Sequence, residues 1–260
     1  MQAIDVKNLT FKRKERAIFS RFDVSIERGK FVALLGPNGT GKSTLLKLLC
    51  GILQCDSGDI SLLGQSLSQL KHLERARLIS YMPQTTHLET QFTVEQVVKM
   101  GRYPHKKRFS SWSSEDDEEV EKAIAYTGIT HLKERFITDL SGGERQLVFL
   151  TKAIAQNTPI LLLDEPTSDL DIYHQMIVTD VLRQLVTDGK TVIAAIHDIN
   201  LAARICDDSL MIKDGEIIVF GNQPQVMQET YLQLGFNVKT HVYEEQFTAT
   251  TQMVPYEVHK

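Results

Sequence analysis

Phe31-Val32-Ala33-Leu34-Leu35-Gly36-Pro37-Asn38-Gly39-Thr40-Gly41-Lys42-Ser43-Thr44 is the stretch that decides the fold. Its apolar start predicts a buried strand, and residues 36–44 fit the phosphate-loop pattern G-x-x-x-x-G-K-[ST] in the strand-to-helix context that pattern requires. Leu45, Leu46, Leu48 and Leu49 continue into a helix that Gly51 ends. Three glycines allow backbone N–H groups to curl around phosphate oxygens, and the helix start turns its positive dipole end to the same charge. Lys42 is placed to reach β- and γ-phosphates, and Ser43 to offer a hydroxyl to Mg²⁺.

Outward from this loop, the chain has 260 residues, enough for one large or two small domains and a sizeable core. A net charge of −4 leaves no global basic field, so nucleic acid is not an expected partner. Cys50, Cys55 and Cys206 have neither C-x-x-C nor Cys/His spacing, which suggests a reducing compartment without a zinc site. Met1-Gln2-Ala3-Ile4-Asp5 lacks a basic region followed by an apolar one, so no signal peptide is expected. No stretch approaches the roughly 18 apolar residues of a membrane span.

Alternation at residues 3–11 and 22–26 predicts two half-buried strands joined by a charged turn at 12–16. A short strand is expected at 59–62 and another at 78–82, with Gln84 just beyond the latter's end. From residue 93 to about 156 the apolar spacing becomes helical. Strand, helix, strand is expected over 160–163, 172–186 and 192–196, and Asp214-Gly215 signals a hairpin between two short strands. Residues 240–258 have no clear motif.

Leu140-Ser141-Gly142-Gly143-Glu144 is a second Gly-rich site in a chain that already owns a phosphate loop. Ser141 and Glu144 form an S-x-x-E capping box before a helix carrying Leu147, Phe149, Leu150, Ala153 and Ile154. Gly142 and Gly143 each cost that helix about 1 kcal/mol relative to alanine, which points to a close backbone approach. Asp164 ends the apolar run 160–163, the position from which P-loop enzymes hold Mg²⁺, and Glu165 beside it is placed to orient and deprotonate a water. His197 ends the next strand, where it can donate a hydrogen bond to a γ-phosphate, and Asp198 can cap the helix that follows.

Taken in order and spacing, the phosphate loop, Gln84, 140–144, Asp164-Glu165, Ser168-Asp169-Leu170-Asp171 and His197 resemble the ATP-binding subunit of ATP-binding cassette (ABC) transporters across nearly the whole chain. The resemblance implies an α/β P-loop fold of ABC ATPase type: a mixed sheet core, an N-terminal antiparallel β subdomain and an inserted helical subdomain. As one domain over 1–260, it implies an ATPase core at 1–92 and 157–230, a helical part at 93–156 and a C-terminal extension at 231–260. It further implies a head-to-tail homodimer, in which the 140–144 signature of one copy closes over ATP held by the phosphate loop of the other. Gln84 would then touch Mg²⁺ or the attacking water, Asp171 would act across the dimer, and Phe11 would stack on adenine. Asp169, Leu147 and Lys152 depart from the common pattern, which bears on dimer affinity.

Met100-Gly101-Arg102-Tyr103-Pro104-His105, Thr127-Gly128-Ile129, Ala155-Gln156 and His197-Asp198-Ile199-Asn200 look like importers of ferric siderophores, haem and cobalamin, with the siderophore branch nearest. The resemblance implies transmembrane permease partners, contacted partly through the basic segment 102–108, an extracytoplasmic binding protein beyond them, and a peripheral place at the cytoplasmic face of the inner membrane. Residues 102–108 also read as a plain solvated basic loop. A soluble cassette ATPase of an assembly complex, such as an iron–sulfur scaffold, would share every nucleotide motif and stays open at this point.

Overall fold

The computed structural model describes residues 1–84, 91–106 and 111–258. The chain opens with β1 (Gln2–Arg13) and β2 (Arg16–Glu27), an antiparallel pair turning at Lys14 with φ 57°. β3 (Phe31–Leu35) leads through the phosphate loop into α1 (Lys42–Leu49). Then follow β4 (Ser57–Leu62), the two-residue β5 (Gln65–Ser66), α2 (His72–Leu78) and β6 (Ile79–Met82). The helical stretch contains α3 (Val94–Lys99), α4 (Ser114–Tyr126) and α5 (Gly142–Ala155). β7 (Ile160–Asp164), α6 (Ile172–Thr187), β8 (Thr191–Ala195) and α7 (Ile199–Ile205) alternate as expected. β9 (Asp208–Lys213) and β10 (Glu216–Asn222) form the hairpin around Asp214-Gly215, followed by α8 (Gln223–Val226), α9 (Glu229–Phe236), β11 (Val238–Glu245) and β12 (Thr250–Val258).

The central sheet has the order β10-β9-β3-β8-β7-β6; all neighbours are parallel except the edge strand β10. Period-two alternation divides each central strand between two cores. Phe31, Ala33 and Leu35 face one core with Leu161, Leu163, Val192 and Ala194, under a layer of helices that includes α3 to α7. Val32 and Leu34 face the other with Ile160, Leu162 and Ile193, covered by α1 and the antiparallel sheet β2-β1-β4-β5. Parallel strands put their carboxyl ends on one edge, where open α/β sheets bind ligands. The loops after β3, β6, β7 and β8 therefore bring the phosphate loop, Gln84, Glu165 and His197 to the same edge.

The segment around Arg102 differs from a solvated basic loop. Gly101 packs so closely on α5 that an added Cβ would lie 2.3 Å from the Lys152 carbonyl oxygen. Arg102 is buried: its Nε donates to Asp116 Oδ1 at 3.1 Å and its Nη1 to the Ala155 carbonyl at 3.0 Å, while His105 Nε2 bonds the Gln156 carbonyl at 2.8 Å. These bonds tie the segment after α3 to α4 and to the end of α5, so Arg102 has no free charge to offer a partner; Lys107 and Arg108 lie outside the described residues. Removing one partner of a buried pair strands the other charge, and Asp116→Ala is expected to lower urea-measured stability by about 3 kcal/mol. An unchanged midpoint would mean that the pair is not needed.

The stretch without a sequence motif folds as the β11–β12 hairpin. Its side chains are mostly half-buried or exposed, so hydrophobic alternation does not announce it. Asn200 anchors it, accepting from Met253 N at 2.8 Å and donating to the Met253 carbonyl at 3.0 Å. No helix among the described residues is long and apolar enough to cross a membrane.

Candidate functional site

A cavity of about 750 Å³ lies on the carboxyl edge of the sheet, lined by the phosphate loop, Gln84, Glu165 and His197 together with the β1–β2 turn. The loop leaves β3 through Gly36 at φ 143°, where a Cβ would lie 2.1 Å from the Ile212 carbonyl oxygen, so only glycine fits. Thr40 Oγ1 donates to the Pro37 carbonyl at 2.9 Å and braces the bend. Gly41 is the N-cap of α1 and provides no side-chain cap, which leaves the first N–H groups of that helix to an anion. Lys42 is 6% exposed, and its Nζ donates to the carbonyls of Gly36 at 2.6 Å and Pro37 at 3.0 Å. Burial pushes the Lys42 ammonium below its usual pKa, against the opposing pull of Glu165 and Asp164. Asn38, Gly39, Gly41, Ser43 and Thr44 line the cavity; Gly36 and Pro37 bound the loop as the acceptors for Lys42.

Beneath the loop, Ser43 Oγ donates to Asp164 Oδ1 at 2.9 Å and the Tyr81 hydroxyl to Oδ2 at 3.2 Å. Asp164 is 2% exposed; burial raises its carboxyl pKa, and the neighbouring Glu165 charge adds to the rise while the Ser43 and Tyr81 bonds oppose it. Glu165 stands in the left-handed region at φ 55°, a conformation that costs a non-glycine residue about 1 kcal/mol. Its backbone is held there from three sides: its N–H reaches the Ala195 carbonyl at 3.2 Å, while its carbonyl accepts from Ser168 Oγ at 2.9 Å and Gln146 Nε2 at 3.4 Å. Strain fixed by surrounding bonds is characteristic of a functional position. The Glu165 side chain accepts from Gln84 Nε2 at 2.7 Å and meets His197 Nε2 at 2.5 Å. Three residues from loops far apart in sequence thus meet at the cavity, with Glu165 between the Gln84 amide and the His197 ring.

Phe11 does not line the cavity. It is 9% exposed, pairs with Phe19 across β1–β2 and belongs to the core beneath the antiparallel sheet. Arg13, Lys14, Arg16 and Ile18 line the cavity instead; the sequence presents the first three only as part of a charged turn and gives no sign of Ile18. The signal for those three was the placement of cations at the tip of a hairpin feeding β3, opposite a loop built for phosphates.

Ser141 caps α5 as expected: its Oγ accepts from Glu144 N at 3.3 Å, and its own N–H donates to Glu144 Oε2 at 2.8 Å. None of residues 141–144 lines the cavity, and Ser141 and Gly142 are exposed. Asp171 caps α6, accepting from His174 N at 2.8 Å. Within one chain the two Gly-rich elements are therefore separate surfaces.

The family model described as ABC transporter matches residues 19–168. The petrobactin import ATP-binding protein FpuD of Bacillus anthracis is 36% identical over 98% of this chain and 94% of its own length. The cobalamin import ATP-binding protein BtuD of Halobacterium salinarum is 37% identical over 97% of this chain, which spans 63% of that relative's length. Among solved structures, a metal-chelate type ABC transporter in an inward-facing conformation is similar with TM-score 0.87 and 31% identity, covering 98% of both chains. A dimeric ATP-binding cassette bound to ADP and Pi is similar with TM-score 0.75 and 27% identity over 85% of this chain and 98% of its own.

Proposed function

This chain belongs to the ABC transporter family, and from that premise we propose that it is the ATP-hydrolysing, energy-coupling subunit of an importer of ferric siderophores or a related metal chelate. The observation that carries the catalytic reading is Glu165, strained into position at the end of β7, joined to Gln84 and His197, and placed beside the Ser43–Asp164 pair under the phosphate loop. The import reading draws on the petrobactin and cobalamin importer relatives and on the metal-chelate transporter structure. In this reading residues 93–156 act as a helical unit on a core of 1–92 and 157–230, with 231–260 as an extension.

In the reaction the loop N–H groups, the start of α1 and Lys42 bind the ATP phosphates. Their charge draws the Lys42 ammonium toward phosphate oxygens in place of the two carbonyls that hold it. The Glu165 carboxylate accepts a proton from the attacking water, Gln84 orients that water, and His197 donates a hydrogen bond to the γ-phosphate. The donor set suits Mg²⁺, a hard cation that takes oxygen ligands: the Ser43 hydroxyl and an Asp164 carboxyl oxygen lie 2.9 Å apart. Ser43, Asp164 and Gln84 would hold that ion, which when bound supplies charge neutralisation on the phosphates. Few protein ligands are needed, because the ion keeps waters and substrate phosphates as its remaining partners.

A homodimer completes each site with the 141–144 signature of the second copy, and Asp171 faces the same boundary. Transmembrane permease subunits, with an extracytoplasmic binding protein on their far side, receive the motion, which locates the chain peripherally on the cytoplasmic face of the inner membrane; nucleic acid is not a partner. Uptake assays with a panel of ferric chelates in a strain lacking this gene test the transport reading. Restored uptake by the intact chain, and none by a Lys42→Ala variant, is expected; unchanged uptake of every chelate on deletion would overturn it.

Among the described residues no Phe, Tyr or Trp side chain lines the cavity, and we assign the guanidinium groups of Arg13 and Arg16 to meet the base end of ATP. Arg13→Ala is expected to raise the KM for ATP about fivefold with kcat little changed, because a cation over a purine face contributes roughly 1 kcal/mol at an exposed site. Steady-state kinetics with ATP check this, and an unaltered KM in the Arg13→Ala/Arg16→Ala double variant would remove these residues from the base end.

A further inference from the structure

The two glycines of the signature stand in different surroundings. A Cβ added to Gly142 would find nothing within 4 Å, whereas one on Gly143 would lie 2.6 Å from His174 Cγ and 2.8 Å from its Nδ1. His174 sits in the first turn of α6 with its side chain 19% exposed, and its Nδ1 is 2.9 Å from both carboxylate oxygens of Asp171. The same carboxylate caps α6. One imidazole therefore touches the backbone at the start of α5 on one side and holds the Asp171 carboxylate on the other.

Resting on the ATPase-dimer reading above, we propose that His174 is a positioning residue that locks the Asp171 loop to the signature helix, so that both elements meet a second copy of this chain as one unit. The glycines then have separate tasks. Gly143 makes room for the imidazole of its own chain. Gly142, facing open space, keeps the approach clear for the incoming molecule. The pairing of a helix start with an imidazole in direct van der Waals contact transmits displacement of either element, because a close-packed contact has no slack.

The full-length chain with single and combined substitutions provides the test, read by kcat and KM for ATP, by affinity for a fluorescent ATP analogue, and by thermal midpoint. Alanine favours helix over glycine, so the Gly143→Ala chain is expected to fold. Its new Cβ displaces the imidazole and breaks the tie to Asp171. Gly143→Ala should lower kcat about tenfold with analogue affinity intact, since contacting residues couple at this scale. His174→Ala should lower kcat by a smaller factor, and the Gly143→Ala/His174→Ala chain should recover to the level of His174→Ala alone. His174→Asn, which keeps an N–H for Asp171, should retain more turnover than His174→Ala. Gly142→Ala should also depress kcat, and His174→Ala should not relieve it.

A double variant as slow as Gly143→Ala alone would overturn the proposal, as would wild-type kcat in His174→Ala or relief of Gly142→Ala by His174→Ala. Failure of the underlying reading looks different: the unmodified chain would not hydrolyse ATP at all. The lock remains readable in that case through thermal midpoints, where additive losses for Gly143→Ala and His174→Ala would overturn it and non-additive losses would support it.

Discussion

Glu165→Gln is expected to reduce ATP turnover by at least about 100-fold, the scale of a general base, while ATP binding persists. The substitution keeps the length and planarity of the side chain, and the φ 55° backbone is held by contacts that do not involve the carboxylate. Gln84 Nε2 can still donate to an amide oxygen at that position. What disappears is the group able to take a proton from water. Phosphate binding depends on the loop, the start of α1 and Lys42, none of which the substitution touches. The variant is therefore expected to accumulate as an ATP-bound dimer, visible as an ATP-dependent increase in mass by light scattering, with single-turnover hydrolysis near background. Undiminished hydrolysis would transfer the base role away from Glu165.

Much of this site was legible because its chemistry is local. The phosphate loop sits in a continuous run of strand, turn and helix, and Asp164-Glu165 stands at the end of an apolar strand whose burial follows from residues 160–163 alone. The sheet then does the rest, since parallel strands deliver their carboxyl ends to one edge. Less legible were features decided by which of several similar residues reaches a given place. In β1, Phe11 and Arg13 lie two residues apart, the spacing of one strand face, yet Phe11 is covered by the core while Arg13 projects beyond it at the turn. Arg102 reads as part of a basic run, but its partner Asp116 comes from another helix, and charge pattern along a sequence cannot tell a paired guanidinium from a solvated one. Gly143 and His174 meet across two helices, so sequence offered only the cost of a helical glycine and not the imidazole that explains it.

Ser141→Arg is expected to abolish hydrolysis, by about 100-fold or more, while leaving ATP affinity at the phosphate loop unchanged. The serine is exposed and lies outside the lining of its own chain's cavity, so an arginine there has no route to the nucleotide held by the same copy. Loss of the Ser141 cap costs about 1 kcal/mol, too little to unfold the chain, and the backbone N–H of residue 141 can still donate to Glu144. The effect must therefore arise on a second molecule, where a long cation fills the space that a phosphate and its cradle require. Mixing decides whether the two Gly-rich elements are halves of one site. A Lys42→Ala chain has an intact signature and a damaged phosphate loop, the reverse of Ser141→Arg. Each alone should be inactive, and together they should recover part of the wild-type rate, because a mixed head-to-tail pair contains one undamaged composite site. Recovery that rises with total protein concentration would tie activity to association of the two chains. If the mixture stays as inactive as its components although mixed dimers are present, the signature of one copy does not serve the phosphate loop of the other.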